Sequence, residues 1–320
     1  MPEKITMTSL SDIYLASPRG FCSGVRRAVK LVEQALRDYG APIYVRHEIV
    51  HNRHVVESLR QQGVVFIEKL SEAAERGRPV IISAHGAPKS VYLEAEKLGL
   101  RLIDATCPLV EKVHKKIVRL AQEGKNIVVI GKAGHPEIIG TVGQLDDVSR
   151  CQTIVTPQEA ESLKFKDEAP IGMVTQTTLS VADVAEITDI LRRRFGQIEA
   201  LAQSDTCYAT THRQAAIREL VKHAAAIVVV GSKNSSNSQQ LKKIAVQAGA
   251  VKAFLIDDVS EMPWDELADI RTLGISAGAS APEELVAQIV GELKKRYANL
   301  KIHDIIVADE AAVRKSPATA

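Results

Sequence analysis

Short apolar runs alternate with amphipathic stretches along the chain. Residues 43–45, 127–130 and 227–230 are uniformly apolar, which is typical of buried strands. A stretch with apolar residues at helical spacing precedes each run. The spaced residues are Val25, Ala28, Val29, Val32, Ala35 and Leu36 in the first stretch, Val110, Val113, Ile117, Val118 and Ala121 in the second, and Ala215, Ile217, Leu220 and Val221 in the third. Strands that alternate with helices predict an α/β fold with mainly parallel sheets.

The pattern contains an internal repeat with a spacing of 100 residues. Thr106 and Cys107 recur as Thr206 and Cys207, and the apolar run at 127–130, followed by glycine, recurs at 227–230. A looser third copy begins at Cys22. In each copy the cysteine follows an extended stretch and opens an amphipathic helix. We therefore predict that each cysteine lies at a strand-to-helix junction.

The repeat predicts three similar α/β domains in a pseudo-threefold, trefoil arrangement around a central site. The predicted boundaries are 13–105 with Cys22, 106–205 with Cys107 and 206–302 with Cys207, flanked by an N-terminal extension, 1–12, and a C-terminal tail, 303–320. Each copy also has two polar loops at strand ends. Because ligand sites of parallel sheets lie beyond the carboxyl ends of the strands, we expect these loops to share one edge.

Composition limits the class of protein. Hydrophobic residues make up 45% and charged residues 25% of the 320 residues, which indicates a folded chain. The net charge of +2 favours neither nucleic acid nor a membrane surface as a partner. The first 20 residues lack the apolar core of a signal peptide, and apolar runs such as 224–230 are too short to span a bilayer. These features predict a cytoplasmic protein.

Cysteines in the reducing cytoplasm are more often metal-bound, catalytic or unmodified than paired in disulfides. Three repeat-equivalent thiolates, from Cys22, Cys107 and Cys207, could hold a 4Fe-4S cluster and leave one iron open to substrate. Catalytic zinc also takes three protein ligands and water, so a zinc hydrolase is an alternative. Cys151 matches nothing in the repeat and is interpreted as a bystander.

Polar loops before two helices are candidates for anion binding. Residues 231–238 read Gly-Ser-Lys-Asn-Ser-Ser-Asn-Ser and run from a strand into a helix, where backbone N–H groups and the helix dipole suit phosphate oxygens. Ser280 precedes a similar helix start. Ordinary N-capping is the alternative role for such residues, above all for Ser280.

Histidines and one acid occupy the corresponding loops of the first two copies. His51, His85 and His135 end strands there, and imidazolium groups could offset the charge of a diphosphate. Glu137 follows His135 and Pro136 at a predicted helix start, where it is either a favourable first-turn acid or a proton donor. Thr177 could orient a substrate alcohol and pass on a proton. The other strand-end and helix histidines are interpreted as structural or exposed: His47, His54, His114, His212 and His223.

Six ordered motifs together resemble the LytB family of 4-hydroxy-3-methylbut-2-enyl diphosphate reductases. The resemblance runs from about residue 13 to residue 300. The motifs lie at 18–25 (Pro-Arg-Gly-Phe-Cys-Ser-Gly-Val), 104–110 (Asp-Ala-Thr-Cys-Pro-Leu-Val), 134–137 (Gly-His-Pro-Glu), 175–180 (Thr-Gln-Thr-Thr-Leu-Ser), 207–211 (Cys-Tyr-Ala-Thr-Thr) and 231–238.

The resemblance implies a trefoil of three α/β domains around an oxygen-sensitive 4Fe-4S cluster. It also implies that the protein is the last enzyme of the methylerythritol phosphate route to isoprenoids. Its implied reaction adds two electrons and two protons to the allylic diphosphate, releases water and forms isopentenyl and dimethylallyl diphosphates. The implied cluster ligands are Cys22, Cys107 and Cys207. The implied diphosphate ligands are His51, His85, His135, Ser235, Ser236, Asn237 and Ser280. Glu137 would supply protons and Thr177 would place the substrate hydroxyl.

The chain departs from the family pattern at three places that carry no proposed ligand. His212 stands where bacterial relatives are expected to have Asn, the N-terminus is extended, and the tail after about residue 303 matches poorly. No Gly-x-Gly-x-x-Gly fingerprint of a flavin or dinucleotide site occurs. The electrons are therefore expected from a separate protein, and the resemblance implies flavodoxin or ferredoxin.

Two other functions fit three cysteines in three repeats. A lyase of the quinolinate synthase type would use the open iron without net reduction, and its dicarboxylate substrate would call for arginines in the inward loops. Arg46 and Arg53 are nearby but do not recur in the other copies. A non-catalytic iron-sulfur sensor would need a partner surface but no acid, so the Glu137→Gln variant would separate sensor from reductase.

Overall fold

Strands and helices largely alternate along the chain. The structure is a computed structural model that describes residues 10–73, 77–196, 198 and 205–307. In chain order the strands are β1 (Asp12–Ser17), β2 (Ile43–Arg46), β3 (Val64–Ile67), β4 (Val80–Ile82), β5 (Leu102–Asp104), β6 (Asn126–Ile130), β7 (Cys151–Ile154), β8 (Ile171–Thr175), β9 (Ala226–Val230), β10 (Lys252–Ile256), β11 (Thr272–Ala277) and β12 (Lys301–Ile306). The helices are α1 (Ser23–Tyr39), α2 (Arg53–Gln61), α3 (Lys89–Leu98), α4 (Pro108–Gln122), α5 (Pro136–Val142), α6 (Pro157–Ser162), α7 (Val181–Phe195), α8 (Tyr208–Val221), α9 (Ser236–Gln247) and α10 (Glu283–Arg296).

The chain divides into two compact units. One contains Met1–Cys22, His51–Val55 and Tyr208–Ala320, and the other contains Ser23–Val50 and Val56–Cys207. Every strand pair in the described sheets is parallel. The prediction of an α/β fold with parallel sheets is confirmed. Within the described residues, no helix combines the length and the apolar character that crossing a bilayer requires.

The first unit holds a five-stranded sheet in the order β10-β9-β11-β1-β12. Alternate residues of β9 point to opposite faces, as the period of a strand requires. Val228 packs with Leu285 and Ile289 of α10 on one face. Val229 packs with Leu220 of α8 and with α9 on the other. The sheet is therefore covered by helices on both faces, which explains the continuous apolar run of β9.

The second unit holds two sheets, in the orders β3-β2-β4-β5 and β7-β6-β8. Tyr44 and Ile82 of the first pack with Val91 of α3. Ile198 adds a single parallel bridge to Ile171 at the edge of the second. Residues of both the strands and the helices contribute to these cores.

The repeat of the sequence is a repeat of structure. Strands β6 and β9 end at Ile130 and Val230, in register with the spacing of 100 residues. Val129 faces the cysteine helix α4, as Val229 faces α8. Strands β5 and β1, which lead to Cys107 and Cys22, pair with β4 and β11 respectively. Strand β1 thus lies in the sheet of β9 to β12, and the predicted boundary at residue 303 falls inside β12; the domain boundaries stay a prediction.

The helices differ from prediction in which residues they bury. In α8 the buried face contains Ala209, Arg213, Ala216 and Leu220, whereas the predicted Ala215 is half-buried. In α4 Leu120 and His114 are buried and the predicted Ala121 is exposed. A prediction from apolar residues alone misplaces the buried faces of α4 and α8, because these faces also include the His114 and Arg213 side chains.

Candidate active site

The three repeated cysteines share one backbone arrangement. The N–H of each donates to the carbonyl of a residue two positions beyond the end of β4, β8 or β11. The bonds join Cys107 to Ala84 (3.0 Å), Cys207 to Thr177 (3.1 Å) and Cys22 to Ala279 (3.0 Å). Each cysteine is thus fixed at the carboxyl end of a parallel strand, where the predicted polar loops also lie.

Each cysteine also stands at the start of a helix in the chain. Cys107 is the N-cap of α4, and Cys22 and Cys207 directly precede the first residues of α1 and α8. All three are half-buried. Backbone N–H groups at a helix start favour a negatively charged group there. The predicted strand-to-helix junctions are therefore present.

Cys151 has a different environment. It begins β7, pairs with Ile127 and packs beside the core formed by Val129 and Val174. Burial raises the pKa of the Cys151 thiol to about 11. This apolar environment disfavours the thiolate form that binds metal.

Thr177 connects the candidate proton donor to a cysteine. The Thr177 backbone N–H donates to Glu137 Oε1 at 2.6 Å, and the Thr177 hydroxyl donates to Glu137 Oε2 at 3.1 Å. The carbonyl of the same threonine accepts the Cys207 N–H. Glu137 is only 3% exposed, so the two bonds hold a carboxyl group that water scarcely reaches.

Two of the predicted histidines adjoin this carboxyl group. The backbone N–H of Glu137 donates to His135 Nδ1 at 3.1 Å, which makes His135 the N-cap of α5. With Nδ1 as acceptor, the neutral imidazole carries its proton on Nε2. The His85 ring lies edge-on to the His135 ring, with 5.7 Å between centroids. His85 follows Ala84, whose carbonyl binds Cys107, so the second unit links Cys107 to Cys207 through His85, His135, Glu137 and Thr177.

The first unit gathers the polar residues at the start of α9. Ser235 is the N-cap, and its hydroxyl oxygen accepts the N–H of Ser238 at 3.3 Å. Ser236 and Asn237 begin the helix and are nearly buried. Both the Nδ2 and the Oδ1 of Asn237 are buried without a hydrogen-bond partner. Because a buried, unpartnered amide is costly, Asn237 is a candidate for a ligand contact.

Two glycines let this helix start pack against the strand ends. A Cβ atom at Gly278 or at Gly231 would overlap the Ser238 hydroxyl. The same position at Gly278 lies 3.5 Å from Asn237 Nδ2. Since Gly278 precedes Ala279, which binds Cys22, the absence of a side chain brings Asn237 close to the Cys22 anchor.

His51 belongs to this group through its backbone. The Ser280 hydroxyl donates to the His51 carbonyl at 2.9 Å. Two residues further on, the Arg53 N–H donates to the Ser232 hydroxyl at 2.9 Å, and Ser232 donates to Asp257 at 2.6 Å. The short segment from 51 to 55 is thereby held against the strand ends of the first unit.

The donor set fits an iron-sulfur group. All four cysteines lie among the described residues and none is in a disulfide. The three repeated cysteines lie at equivalent strand ends and offer soft sulfur ligands, the type of ligand that holds iron-sulfur clusters. Within the described part of the chain, no three His, Cys, Asp or Glu side chains are grouped around a single ion position. A four-iron cluster takes one thiolate per iron, so its ligands need no such grouping.

Buried polar residues near these groups include Gln176 and Arg213, to which the sequence pattern gave no role, and His114, which it interpreted as structural or exposed. Gln176 is fully buried, and its Oε1 accepts the Lys132 N–H at 3.1 Å. Arg213 is fully buried on the apolar face of α8. His114 is 8% exposed, its Nε2 has no partner, and burial lowers its pKa to about 4. The signal for Arg213 and His114 was present in the sequence, because both fall at helical spacing among apolar residues.

Three of the histidines that were interpreted as structural or exposed contact other side chains than those of the candidate site residues. His54 contacts Asp258 at 2.9 Å, and His47 contacts Glu68 at 2.7 Å. His212, the residue expected as Asn, is half-buried with its ring 6.2 Å from that of Tyr208.

Fold and site together define an α/β protein with a cysteine-bearing strand end in each of three parallel sheets. The family model described as LytB protein matches residues 13–294. The chain therefore belongs to the LytB family.

Curated relatives and solved structures agree with this assignment. The chain is 49% identical to 4-hydroxy-3-methylbut-2-enyl diphosphate reductase of Gluconobacter oxydans (strain 621H), over 93% of this chain and 89% of that protein. It is 48% identical to the reductase of Beijerinckia indica, over 93% of each. The structure of the E-1-hydroxy-2-methyl-but-2-enyl-4-diphosphate reductase from Plasmodium falciparum is similar with a TM-score of 0.89 and 35% identity, covering 95% of this chain and 93% of that one.

Proposed function

We propose that this chain is a 4-hydroxy-3-methylbut-2-enyl diphosphate reductase, an iron-sulfur oxidoreductase of the non-mevalonate isoprenoid pathway. Membership of the LytB family supports the proposal, as do relatives of that name at about half identity over most of the chain. A solved relative is described as the terminal enzyme of the non-mevalonate pathway. Family membership gives no support to the lyase or the sensor.

One structural observation carries the proposal: the buried Glu137 carboxyl group is bonded to Thr177, whose carbonyl holds Cys207. A sensor has no need of a buried acid at a metal ligand. A reductase that adds protons needs an acid near the metal and shielded from bulk water. The bonds from Thr177 to Glu137 and from Cys207 to Thr177 support this role for Glu137.

Cys22, Cys107 and Cys207 are proposed to ligate one 4Fe-4S cluster at the centre of the predicted pseudo-threefold arrangement. Such a cluster, with three protein ligands and one open iron, would supply electrons and a Lewis-acid position for the substrate hydroxyl. The cysteine N–H bonds to the strand ends would keep the three sulfur atoms in place.

The diphosphate is proposed to bind the polar helix starts and histidines. The unpartnered Asn237 amide can donate to a phosphate oxygen, which would offset the free-energy penalty of burying it without a hydrogen bond. His135 presents an Nε2 donor because its Nδ1 is engaged by Glu137. The remaining proposed contacts come from side chains at equivalent strand ends and helix starts: His51, His85, Ser235, Ser236 and Ser280.

Glu137 and Thr177 are proposed to handle the protons. The Thr177 hydroxyl donates to Glu137 and keeps its lone pairs to accept a hydrogen bond from the substrate hydroxyl. When Glu137 is protonated this bond would reverse: Glu137 would donate to the Thr177 hydroxyl oxygen, and Thr177 would donate its own proton to the departing hydroxyl, which would leave as water. Thr177 also orients that hydroxyl, so its loss affects both binding and turnover.

The electrons are proposed to come from flavodoxin or ferredoxin, and the protein is proposed to act in the cytoplasm. An anaerobic assay with a chemical reductant tests the function without the partner. The purified chain should convert 4-hydroxy-3-methylbut-2-enyl diphosphate to isopentenyl and dimethylallyl diphosphates. An iron-loaded chain that forms neither product would refute the proposal.

A further inference from the structure

Each helix that follows one of the three cysteines carries a basic side chain that contacts the segment just before another of these cysteines. Arg27 of α1 donates to the Thr106 carbonyl at 3.0 Å. Lys116 of α4 pairs with Asp205 at 2.5 Å. Arg213 of α8 donates to the Gly20 carbonyl at 2.7 Å. The acceptors stand one or two residues before Cys107, Cys207 and Cys22.

The contacts follow a closed order along the chain. The helix after Cys22 holds the segment before Cys107, the helix after Cys107 holds the segment before Cys207, and the helix after Cys207 holds the segment before Cys22. Three unrelated contacts, one ion pair and two hydrogen bonds to backbone carbonyls, would have no reason to follow this order. The three basic residues lie at different positions in their helices, and two are arginines and one is a lysine. A repeated sequence motif therefore does not explain the order, and what the contacts share is the position of their acceptors before a cysteine.

Burial supports two of the three contacts, whereas Arg27 is an exposed residue whose bond to the Thr106 carbonyl is partly buried. Arg213 is fully buried, and it also donates to the Ala209 carbonyl of its own helix at 2.8 Å. The side chains of Lys116 and Asp205 are 14% and 4% exposed. Buried charges are costly unless they are paired or hydrogen-bonded, and a buried pair is weak evidence of added stability.

We infer that Arg27, Lys116 and Arg213 are positioning residues that set the cysteines for cluster binding. Each cysteine segment is held at two points: the cysteine N–H is bonded to a strand-end carbonyl, and the preceding residues are bonded to a cation. With both points fixed, the thiolate has little freedom to move away from the metal. The inference rests on the proposed function, since it requires that these cysteines bind one cluster.

Iron retention tests the inference on the whole chain. The parent, Lys116→Met and the double variant Lys116→Met/Asp205→Asn are purified anaerobically, and iron release to a chelator is timed. Loss of such supporting contacts typically weakens metal binding about 10- to 100-fold, so both variants should release iron at least about 10-fold faster than the parent. The double variant leaves no buried unpaired charge, and it should unfold near the parental temperature when iron-free.

Matched variants separate positioning from general structural effects. Lys115→Met removes the neighbouring exposed pair to Glu111 and should release iron at the parental rate. Arg27→Met should accelerate release, whereas Lys30→Met on the same helix should not. Lys116→Arg, which keeps the charge, should restore retention. If Lys116→Met and Arg27→Met both keep iron as the parent does, the inference is wrong; if the parent itself holds no iron, the proposed function fails first.

Discussion

Thr177 binds both oxygens of Glu137, through its backbone N–H at 2.6 Å and its hydroxyl at 3.1 Å. The carboxyl group is thereby fixed in orientation beside the segment that anchors Cys207. A fixed acid can deliver a proton to one position of a bound substrate, whereas a freely rotating one would lose part of that advantage.

Glu137→Gln should lower kcat by at least about 100-fold, the usual worth of a positioned general acid. The amide keeps the size of the carboxyl group and one acceptor for Thr177, so KM should change little. Anaerobic steady-state turnover with a chemical reductant measures both constants. Iron content should equal that of the parent, and a variant that keeps the parental kcat would remove Glu137 from the proton path.

Asn237→Ala should weaken substrate binding without destabilising the free protein. Its amide is buried and unpartnered, so its removal should leave the free energy of unfolding unchanged or raise it by about 1 kcal/mol. KM should rise, while kcat changes less. Ser238→Ala is the matched control: Ser238 donates to Ser235 at 3.1 Å within the helix start, and its loss should lower stability. Destabilisation by Asn237→Ala with an unchanged KM would contradict the assignment.

The sequence pattern predicted the strands, the cysteine helices and the repeat because apolar periodicity follows from burial. Strand β9, for example, is fully buried on both faces and reads as a continuous apolar run. The pattern did not predict that β1 joins β11, since pairing between distant segments leaves no local signal. The tail after residue 307 lies outside the described residues.

The site was predictable only as far as residue type and position in the repeat allow. Cysteines at strand-to-helix junctions follow from local pattern, and so does the N-cap role of Ser235. The contact between Glu137 and Thr177 joins residues 40 positions apart and could not be read from spacing. Arg213 falls at helical spacing among apolar residues but was missed because charged side chains are rarely buried.

Gly278→Ala should lower the free energy of unfolding by about 1 to 3 kcal/mol, because the new Cβ would overlap the Ser238 hydroxyl. It should also weaken substrate binding, since the start of α9 would have to shift. Gly291→Ala in α10 is the control: apart from the backbone of its own helix and its chain neighbours, no atom lies within 4 Å of its Cβ position. That substitution should add about 0.5 to 1 kcal/mol of stability, as alanine favours a helix. Equal effects of the two substitutions on urea unfolding would contradict the packing described for α9.

Acid should destabilise the protein through His114. Burial lowers its folded pKa to about 4 from the ordinary 6.5, so between these values the unfolded chain takes up a proton that the folded chain does not. Stability is therefore full above pH 6.5 and is lost as the pH falls towards 4, by at most about 3 kcal/mol. Urea unfolding at several pH values should show a shallower dependence for His114→Gln. An unchanged pH dependence would show that His114 is not buried as a neutral ring.

Cys151→Ser should leave iron content unchanged, whereas Cys107→Ser should lose or disable the cluster. Burial raises the pKa of the Cys151 thiol to about 11, and Cys151 packs beside an apolar core, whereas Cys107 is the N-cap of α4 and belongs to the repeat. Iron and sulfide analysis of both variants after anaerobic purification measures the difference. Loss of iron from Cys151→Ser would mean that the repeat identifies the wrong ligands.

Mössbauer spectroscopy of the iron-57-labelled chain, with and without substrate, tests most directly whether three cysteines hold one four-iron cluster with one iron open. One of the four iron sites should change its signal when 4-hydroxy-3-methylbut-2-enyl diphosphate is added, while the three cysteine-bound sites keep theirs. Four iron sites that are alike and insensitive to substrate would contradict the account.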